Sequence, residues 1–166
     1  IQRTIKTSPH LYLPVQYDKS LYIDGNIYIY SNININIIEE IFTFDTDLIC
    51  FKHPVRNKVE QECLEVIKLS LEKPENVNKI KERYIIDNFK DDQGLTETNV
   101  LIRNHKNIIE FNEEWTKSIN ICRRDQISFD YLLWKHNINV LKLPFYKKNK
   151  IFGKKKHKNS INKTIV

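Results

Sequence analysis

The chain has 166 residues, of which 40% are hydrophobic and 29% are charged, a composition that fits one globular domain and excludes a disordered chain. Its apolar runs are too short for a transmembrane helix, and its three glycines exclude phosphate-binding loops of the Walker or GxGxxG type. The three cysteines, Cys50, Cys63 and Cys122, form no CxxC pair, so neither a zinc ribbon nor a disulfide framework is expected.

The formal net charge of +6 is unevenly distributed along the chain. Residues 147–166 contain eight lysines and no acidic residue, whereas residues 1–146 carry 19 basic and 21 acidic side chains, a balance of −2. We therefore predict a folded domain over 1–146 and a lysine-rich, disordered tail over 147–166. The tail also raises a non-catalytic hypothesis, in which it binds nucleic acid or an anionic surface, although it lacks the interleaved aromatic residues of a base-stacking platform.

Apolar periodicity divides the chain into alternating strands and helices. Residues 1–20 are predicted to be extended, and residues 21–30 are two β-rich stretches broken by Asp24-Gly25-Asn26, either a hairpin or a strand that ends in an acidic turn. The other predicted elements are a helix over 34–44, a strand over 47–51, helices over 59–71 and 74–89, a strand over 99–103, helices over 108–119 and 125–136, and a strand over 140–143. This alternation predicts an α/β fold.

Asp24 and Asn26 lie at the end of an apolar strand, where open α/β sheets bind ligands. Two oxygen donors two residues apart can face one hard cation, Mg²⁺ or Mn²⁺, which would bridge a diphosphate and stabilise a leaving nucleotide. Asp-Gly is also a favoured hairpin turn, so a purely structural role is the alternative.

Polar residues also follow the next two predicted strands and precede a later helix. His53 and Arg56 can hold a phosphate or a sugar, or belong to a solvated loop. Arg103 and His105 are candidates by position alone. Asp125 can act as a base or orient an acceptor hydroxyl, and it is equally well placed as the N-cap of the helix that follows.

The order and spacing of these motifs resemble a known family over about residues 8–143. The series runs Tyr22-Ile23-Asp24-Gly25-Asn26, Phe51-Lys52-His53-Pro54-Val55-Arg56, Glu62, Tyr84, Gly94-Leu95, Val100-Leu101-Ile102-Arg103-Asn104-His105, Trp115 and Arg124-Asp125-Gln126-Ile127-Ser128-Phe129. It is similar to the glycosyltransferase-like domain family named for plant Golgi proteins of pollen turgor and seed-coat mucilage, which has bacterial and viral relatives.

The resemblance implies a GT-A-like fold, that of nucleotide-diphospho-sugar transferases, here expected to lack its N-terminal nucleotide-binding strands. It implies transfer of a sugar from a nucleotide-sugar donor to a glycan or other acceptor. Asp24 and Asn26 would lie at the metal and diphosphate site, with Mn²⁺ or Mg²⁺, and Asp125 would be the catalytic or acceptor-orienting carboxylate. The other residues implied in donor or acceptor binding are His53, Arg56, Glu62, Arg103, His105, Arg124 and Gln126.

Further expectations concern the compartment and a competing activity. Membrane association is expected only through a missing N-terminal anchor or the basic tail, and the compartment stays open between cytoplasm and Golgi lumen. A third hypothesis is a lipid or glycoside hydrolase that uses His53, His105 and Asp24 around a metal, although their spacing matches no zinc pattern.

Trp115 and Trp134 are predicted to be core residues, with stacking of Trp115 on a sugar ring as the alternative.

Overall fold

A computed structural model describes residues 2–14 and 16–155, and it confirms a mixed α/β architecture. The described helices are α1 (Gln2–Thr7), α2 (Ile35–Phe42), α3 (Val59–Lys68), α4 (Pro74–Ile86), α5 (Ile109–Ile121), α6 (Asp125–Lys135) and α7 (Phe145–Ile151), with a short 3₁₀ turn at Pro9–Leu11. The described strands are β1 (Lys19–Ile23), β2 (Ile27–Ile29), β3 (Leu48–Lys52), β4 (Thr96–Asn104), β5 (Val140–Leu143) and β6 (Phe152–Lys154).

Four of the strands form a mixed sheet in the order β1-β4-β3-β5. Strand β4 is antiparallel to both of its neighbours, whereas β3 and β5 are parallel. Strand β2 pairs with β6 in a separate two-stranded sheet and makes no ladder with β1. Of the two interpretations of residues 21–30, the strand that ends in an acidic turn is therefore confirmed, and the hairpin is wrong.

Both faces of the main sheet are covered, which explains the continuous apolar sequence of β3. Leu48 and Cys50 face a cluster formed with α5 and α6, and the alternate residues Ile49 and Phe51 face a second cluster formed with α2, α7, β2 and β6. Trp115, on α5, is 0% exposed in the first cluster. Its predicted core position is confirmed, and a buried indole cannot stack on a sugar.

The first 20 residues differ from the extended segment that we predicted. Residues Gln2–Thr7 form α1 because tertiary contacts support a helix that would be too short to form alone. The hydroxyl of Thr116 on α5 lies 2.6 Å from the hydroxyls of both Thr7 and Ser8. These contacts pack α1 against α5, and they bring Lys6 into the interior.

The prediction of a disordered tail from residue 147 is wrong for residues 147–155. Helix α7 and strand β6 cover most of this segment, and the apolar pair Ile151 and Phe152 is buried against the sheet. Lys148 is only 4% exposed and forms an ion pair with Glu97. The fold therefore continues past the boundary at residue 146, and the rest of the predicted tail, 156–166, lies outside the described residues.

The remaining predicted elements are confirmed, with shifts at their ends. Strand β4 begins three residues earlier than predicted, at Thr96. Trp134 is 38% exposed and packs against Phe89, so its predicted core position is only partly met. Across the described residues, every helix falls short of the length and apolar character that crossing a bilayer requires.

Helix α3 carries Glu62 beneath the candidate site, and a distant residue caps its start. The carboxylate of Asp91 accepts hydrogen bonds from the backbone N–H groups of Val59 and Glu60, both at 3.0 Å. We expect Asp91→Ala to lower the free energy of unfolding by about 1 to 2 kcal/mol, because two helix N–H groups lose their acceptor. Urea denaturation measures this loss. The neighbouring variant Asp92→Ala is the matched control, and an equal loss there would contradict the capping role.

Candidate functional site

A polar cleft of about 800 Å³ opens beside the end of β1 and the start of α6. Three segments singled out from the sequence meet there: Asp24–Asn26 after β1, His53 and Arg56 after β3, and Arg124–Gln126 at the start of α6. The lining also holds Thr98 and Asn99 from β4. Its charged side chains are Arg3, Lys6, Arg56, Arg123, Arg124, Lys154 and Lys155 against Asp24, Glu97 and Asp125, a net formal charge of +4.

Asp125 is the first residue of α6 and faces the cleft rather than capping its own helix. The N-cap position belongs to Arg124, so the predicted capping role of Asp125 is wrong. One carboxylate oxygen of Asp125, Oδ2, accepts hydrogen bonds from the hydroxyl of Thr98 at 2.8 Å and from the ammonium of Lys6. The indole N–H of Trp115 donates to the backbone carbonyl of Asp125 at 3.2 Å and fixes the start of the helix.

The electrostatic surroundings keep Asp125 ionised. Burial works to raise the pKa of this carboxyl, but Lys6, the hydroxyl of Thr98 and nearby Arg124 together hold the pKa below its usual range. A carboxylate with a lowered pKa is a good hydrogen-bond acceptor and a weak base. Asp125 can therefore orient a ligand hydroxyl, and it can take the proton of that hydroxyl once the hydroxyl oxygen has begun to form a new bond and has become acidic.

Asp24 lies across the cleft from Asp125, and Lys6 connects the two carboxylates. The hydroxyl of Tyr22 donates to Oδ1 of Asp24 at 2.9 Å, and Nζ of Lys6 lies 3.4 Å from the same oxygen. Nζ of Lys6 is also 3.4 Å from the hydroxyl of Thr98. The ammonium therefore has three oxygen neighbours, contributed by Asp24, Asp125 and Thr98, and its side chain is 7% exposed.

His53 has a defined tautomer because its backbone neighbours act as donors. Its Nδ1 accepts hydrogen bonds from the N–H groups of Val55 at 3.2 Å and Arg56 at 2.9 Å, so the proton of the neutral ring is on Nε2. Burial and the adjacent charge of Arg56 lower the pKa of His53, which keeps the ring neutral at pH 7. The Nε2–H of His53 and Nη2 of Arg56 lie 3.1 Å apart. These are two donors side by side, and one anionic oxygen in contact with both could accept a hydrogen bond from each.

Glu62 is not on the cleft surface but lies beneath two of its arginines. It is 1% exposed, and its carboxylate contacts Nε of Arg56 at 2.7 Å and Nη2 of Arg124 at 3.6 Å. Glu62 thereby holds both guanidinium groups in place, and its predicted role as a direct ligand residue becomes a positioning role. The side chain of Arg124 lines the cleft and is 34% exposed, so its outer N–H groups can reach a ligand, whereas its Nε is buried without a hydrogen-bond partner in the described structure.

Two predicted site residues, Arg103 and His105, lie outside the cleft. Because β4 runs antiparallel to β1, its last residue, Asn104, pairs with Lys19 at the far end of the sheet from Asp24. His105 therefore lies roughly 20 Å along the strand from the cleft. We predicted ligand residues after the strand over 99–103, as after the two strands before it, whereas the residues of β4 that line the site, Thr98 and Asn99, lie near its start.

Arg103 is buried and supports the fold instead of lining the cleft. It is 1% exposed, its guanidinium donates to the backbone carbonyl of Lys6, and it lies 5.8 Å from the centre of the Tyr22 ring. Burial lowers its pKa to about 10, which leaves it charged at neutral pH. Arg103 thus holds α1 against the sheet. The hydrolase hypothesis needs His105 beside His53 and Asp24, and the fold does not bring these three together.

The site also contains basic residues that sequence reasoning assigned elsewhere or missed. Lys154 and Lys155, from the predicted tail, line the cleft, and the N–H of Lys155 donates to the carbonyl of Asn26 at 2.8 Å. Lys6 was missed because it stands in a polar segment predicted to be extended. Gln126 is at the cleft as predicted, with its side-chain amide bound to the carbonyl of Thr96 at 3.2 Å.

Asp24 and Asn26, the residues predicted to hold a divalent cation, fit one poorly because Asp24 already has a cationic neighbour. Oδ1 of Asp24 already contacts the Lys6 ammonium, which also contacts Asp125. A cation between the two carboxylates would have to displace that ammonium. In the described part of the chain, no three His, Cys, Asp or Glu side chains are grouped as metal ligands.

Searches against protein-family models, curated proteins and solved structures find no match for this chain. A function for this chain therefore rests on the residues of the cleft and on the motif resemblance.

Proposed function

We propose that the cleft binds the diphosphate of a nucleotide-sugar donor, and that the chain carries the donor site of a glycosyltransferase acting on a glycan or other acceptor. A GT-A-like arrangement of that site is part of the proposal. The observation that supports it most is the convergence of three sequence-distant segments, after β1, after β3 and at the start of α6, on one cleft of net positive charge. These are the segments that carry the family resemblance.

The charges of the cleft suit a diphosphate. Arg56 and Arg124 offer planar guanidinium groups, and Nε2–H of His53 adds a neutral donor beside Arg56. In the proposed reaction, an acceptor oxygen attacks the anomeric carbon of the sugar. The bond from that carbon to the phosphate oxygen breaks, and the nucleoside diphosphate leaves with the electron pair, stabilised by these donors.

We assign to Asp125 the role of binding the acceptor hydroxyl. Its Oδ2 is engaged by Lys6 and Thr98, whereas neither of them bonds Oδ1. Oδ1 is thus the oxygen that can accept a hydrogen bond from the acceptor hydroxyl and take its proton as the new glycosidic bond forms. The cleft size is compatible with a bound sugar and diphosphate, since small-molecule sites generally measure about 300–1,000 Å³.

The alternative of a non-catalytic module that binds anions through a basic tail is less favoured. The described part of that tail folds back, and Lys154 and Lys155 lie on the same cleft as the site residues. This placement favours one small anionic ligand over a separate nucleic-acid or membrane surface. The part of the tail beyond residue 155 lies outside the described residues.

Titration calorimetry with uridine and guanosine diphosphates tests the proposal. We expect one of them to bind the wild-type chain, and Arg124→Gln to weaken its binding about tenfold or more, because a charge-assisted hydrogen bond of roughly 1.5–3 kcal/mol is lost. Inorganic phosphate should compete weakly.

The matched control is Arg83→Gln, which removes an arginine whose guanidinium contacts Ser118, away from the cleft. Binding to this variant should equal that of the wild type. Failure of both nucleoside diphosphates to bind, or equal binding to wild type and Arg124→Gln, would contradict the proposed function. Thermal melting of each variant separates a lost ligand contact from a lost fold.

A further inference from the structure

Lys6 lies beside two carboxylates of the cleft whose negative charge opposes the binding of a phosphate. The carboxylates of Asp24 and Asp125 face the same space, and both would repel the phosphates of a ligand. In a metal-dependent site, a divalent cation between such carboxylates removes that repulsion and attracts the ligand. Here Nζ of Lys6 lies between them.

The geometry of Lys6 matches its donor capacity. An ammonium group has three N–H donors, and Nζ has three oxygen neighbours: Oδ1 of Asp24 at 3.4 Å, the hydroxyl of Thr98 at 3.4 Å and Oδ2 of Asp125. Lys6 is 6% exposed.

Residues outside the Asp24–Asn26 turn hold Lys6 in position. The carbonyl of Lys6 accepts a hydrogen bond from buried Arg103, and the hydroxyls of Thr7 and Ser8 meet Thr116 on α5. Nζ also lies 5.4 Å from the centre of the Tyr22 ring, a cation–π contact. Helix α1 therefore presents Lys6 to the two carboxylates from a fixed position.

We infer that the Lys6 ammonium takes the place of the divalent cation that the motif resemblance implies, so that the cleft binds a nucleoside diphosphate without a metal ion. This inference deepens the proposed function and rests on it for the identity of the ligand. The charge of Lys6 offsets one of the two negative charges of Asp24 and Asp125, and the remaining lysines and arginines of the cleft outnumber the acidic residues that are left and can bind the phosphates.

The first test is a Mn²⁺ titration of the chain without nucleotide, in which the electron paramagnetic resonance signal of free Mn²⁺ reports binding. We expect Lys6→Met to bind Mn²⁺ at least about tenfold more tightly than the wild type, because two carboxylates are then left without their internal cation. Lys154→Met is the matched control, since it removes a cleft lysine that makes no contact with Asp24 or Asp125 in the described structure, and it should show no gain.

The second test repeats the nucleoside diphosphate titration of the wild type with EDTA and with Mn²⁺. Affinity should agree within about twofold, since no metal enters the site. Wild-type Mn²⁺ binding that is as tight as in Lys6→Met and is lost in Asp24→Asn would overturn the inference. So would diphosphate binding that EDTA abolishes, or a folded Lys6→Met variant that gains no Mn²⁺ affinity.

The two tests separate this inference from the proposed function. The Mn²⁺ titration uses no nucleotide, so it decides the role of Lys6 even if no nucleoside diphosphate binds. If Lys6→Met unfolds, Lys6→Gln keeps a hydrogen-bond donor at the position without the charge and takes its place in the same comparison. The wild-type Mn²⁺ titration requires no variant at all.

Discussion

Asp125→Asn is expected to lower the rate of sugar transfer about 10²–10⁴-fold, the usual contribution of a positioned acid–base group. The asparagine oxygen can still accept hydrogen bonds from Lys6 and Thr98, so the geometry at the start of α6 is retained. The amide cannot take the proton of an acceptor hydroxyl, however. Release of nucleoside diphosphate from UDP-glucose, UDP-galactose and GDP-mannose, with water or added glycans as acceptor, measures the rate.

Asp125→Asn should lower turnover much more than it lowers the affinity for the nucleoside diphosphate. We expect nucleoside diphosphate affinity to change less than about tenfold in Asp125→Asn, because the proposed phosphate ligands are Arg56, Arg124 and His53. The exposed variant Asp92→Asn makes the same chemical change outside the cleft and should keep the wild-type rate. Wild-type turnover in Asp125→Asn would remove Asp125 from the reaction.

Asp130→Ala is expected to destabilise the fold by about 3 to 5 kcal/mol, the cost of breaking a buried ion pair from one side. Asp130 is 1% exposed and accepts hydrogen bonds from Nζ of Lys142 at 2.7 Å, the N–H of Thr96 at 2.8 Å and the Thr96 hydroxyl at 2.6 Å. Its loss leaves a mostly buried ammonium and a buried backbone donor without their carboxylate. Guanidinium chloride denaturation measures the difference.

Two companion variants test the cause of this loss. Asp130→Asn keeps an acceptor for Thr96 and should cost less than Asp130→Ala. The double variant Asp130→Ala with Lys142→Met removes the unpaired charge and should recover part of the lost stability. Strictly additive losses in the double variant would contradict the ion-pair explanation. Because Thr96 begins the stretch of β4 that presents Thr98 to Asp125, this pair also connects stability to the site.

The sequence predicted well those parts of the fold whose local pattern agrees with their tertiary contacts. Helices α3 to α5 have an apolar face that repeats at helical spacing, and β3 has the continuous apolar run of a strand buried on both faces. Helix α6 is rich in apolar residues and is buried continuously over residues 127–133. Helix α1 and the α7–β6 segment were missed for the opposite reason. Their sequences are polar or lysine-rich, and they fold because of tertiary contacts. Helix α1 bonds to Thr116, and the α7–β6 segment pairs with Glu97 and packs on the apolar face of the sheet.

The same distinction holds for the candidate site. Residues directly after β1 and β3, and those that begin α6, were identified because strand ends and helix starts can be found from sequence. Arg103 and His105 were misplaced because the direction of β4 depends on its pairing with β1, which no local pattern encodes. Lys6 was missed because its role depends on contacts across 18 and 119 positions of the chain.

The central claim is that one cleft, formed by three separate segments, binds the diphosphate. Two-dimensional ¹H–¹⁵N NMR spectra of the labelled chain, recorded while uridine or guanosine diphosphate is added, test it most directly. We predict that the amide signals of Asp24, Arg56 and Gln126 shift together with one dissociation constant, while those of Arg83 and His105 stay in place. If the amide signals of all three cleft segments stay in place, or if signals shift only elsewhere in the chain, the diphosphate does not bind in this cleft.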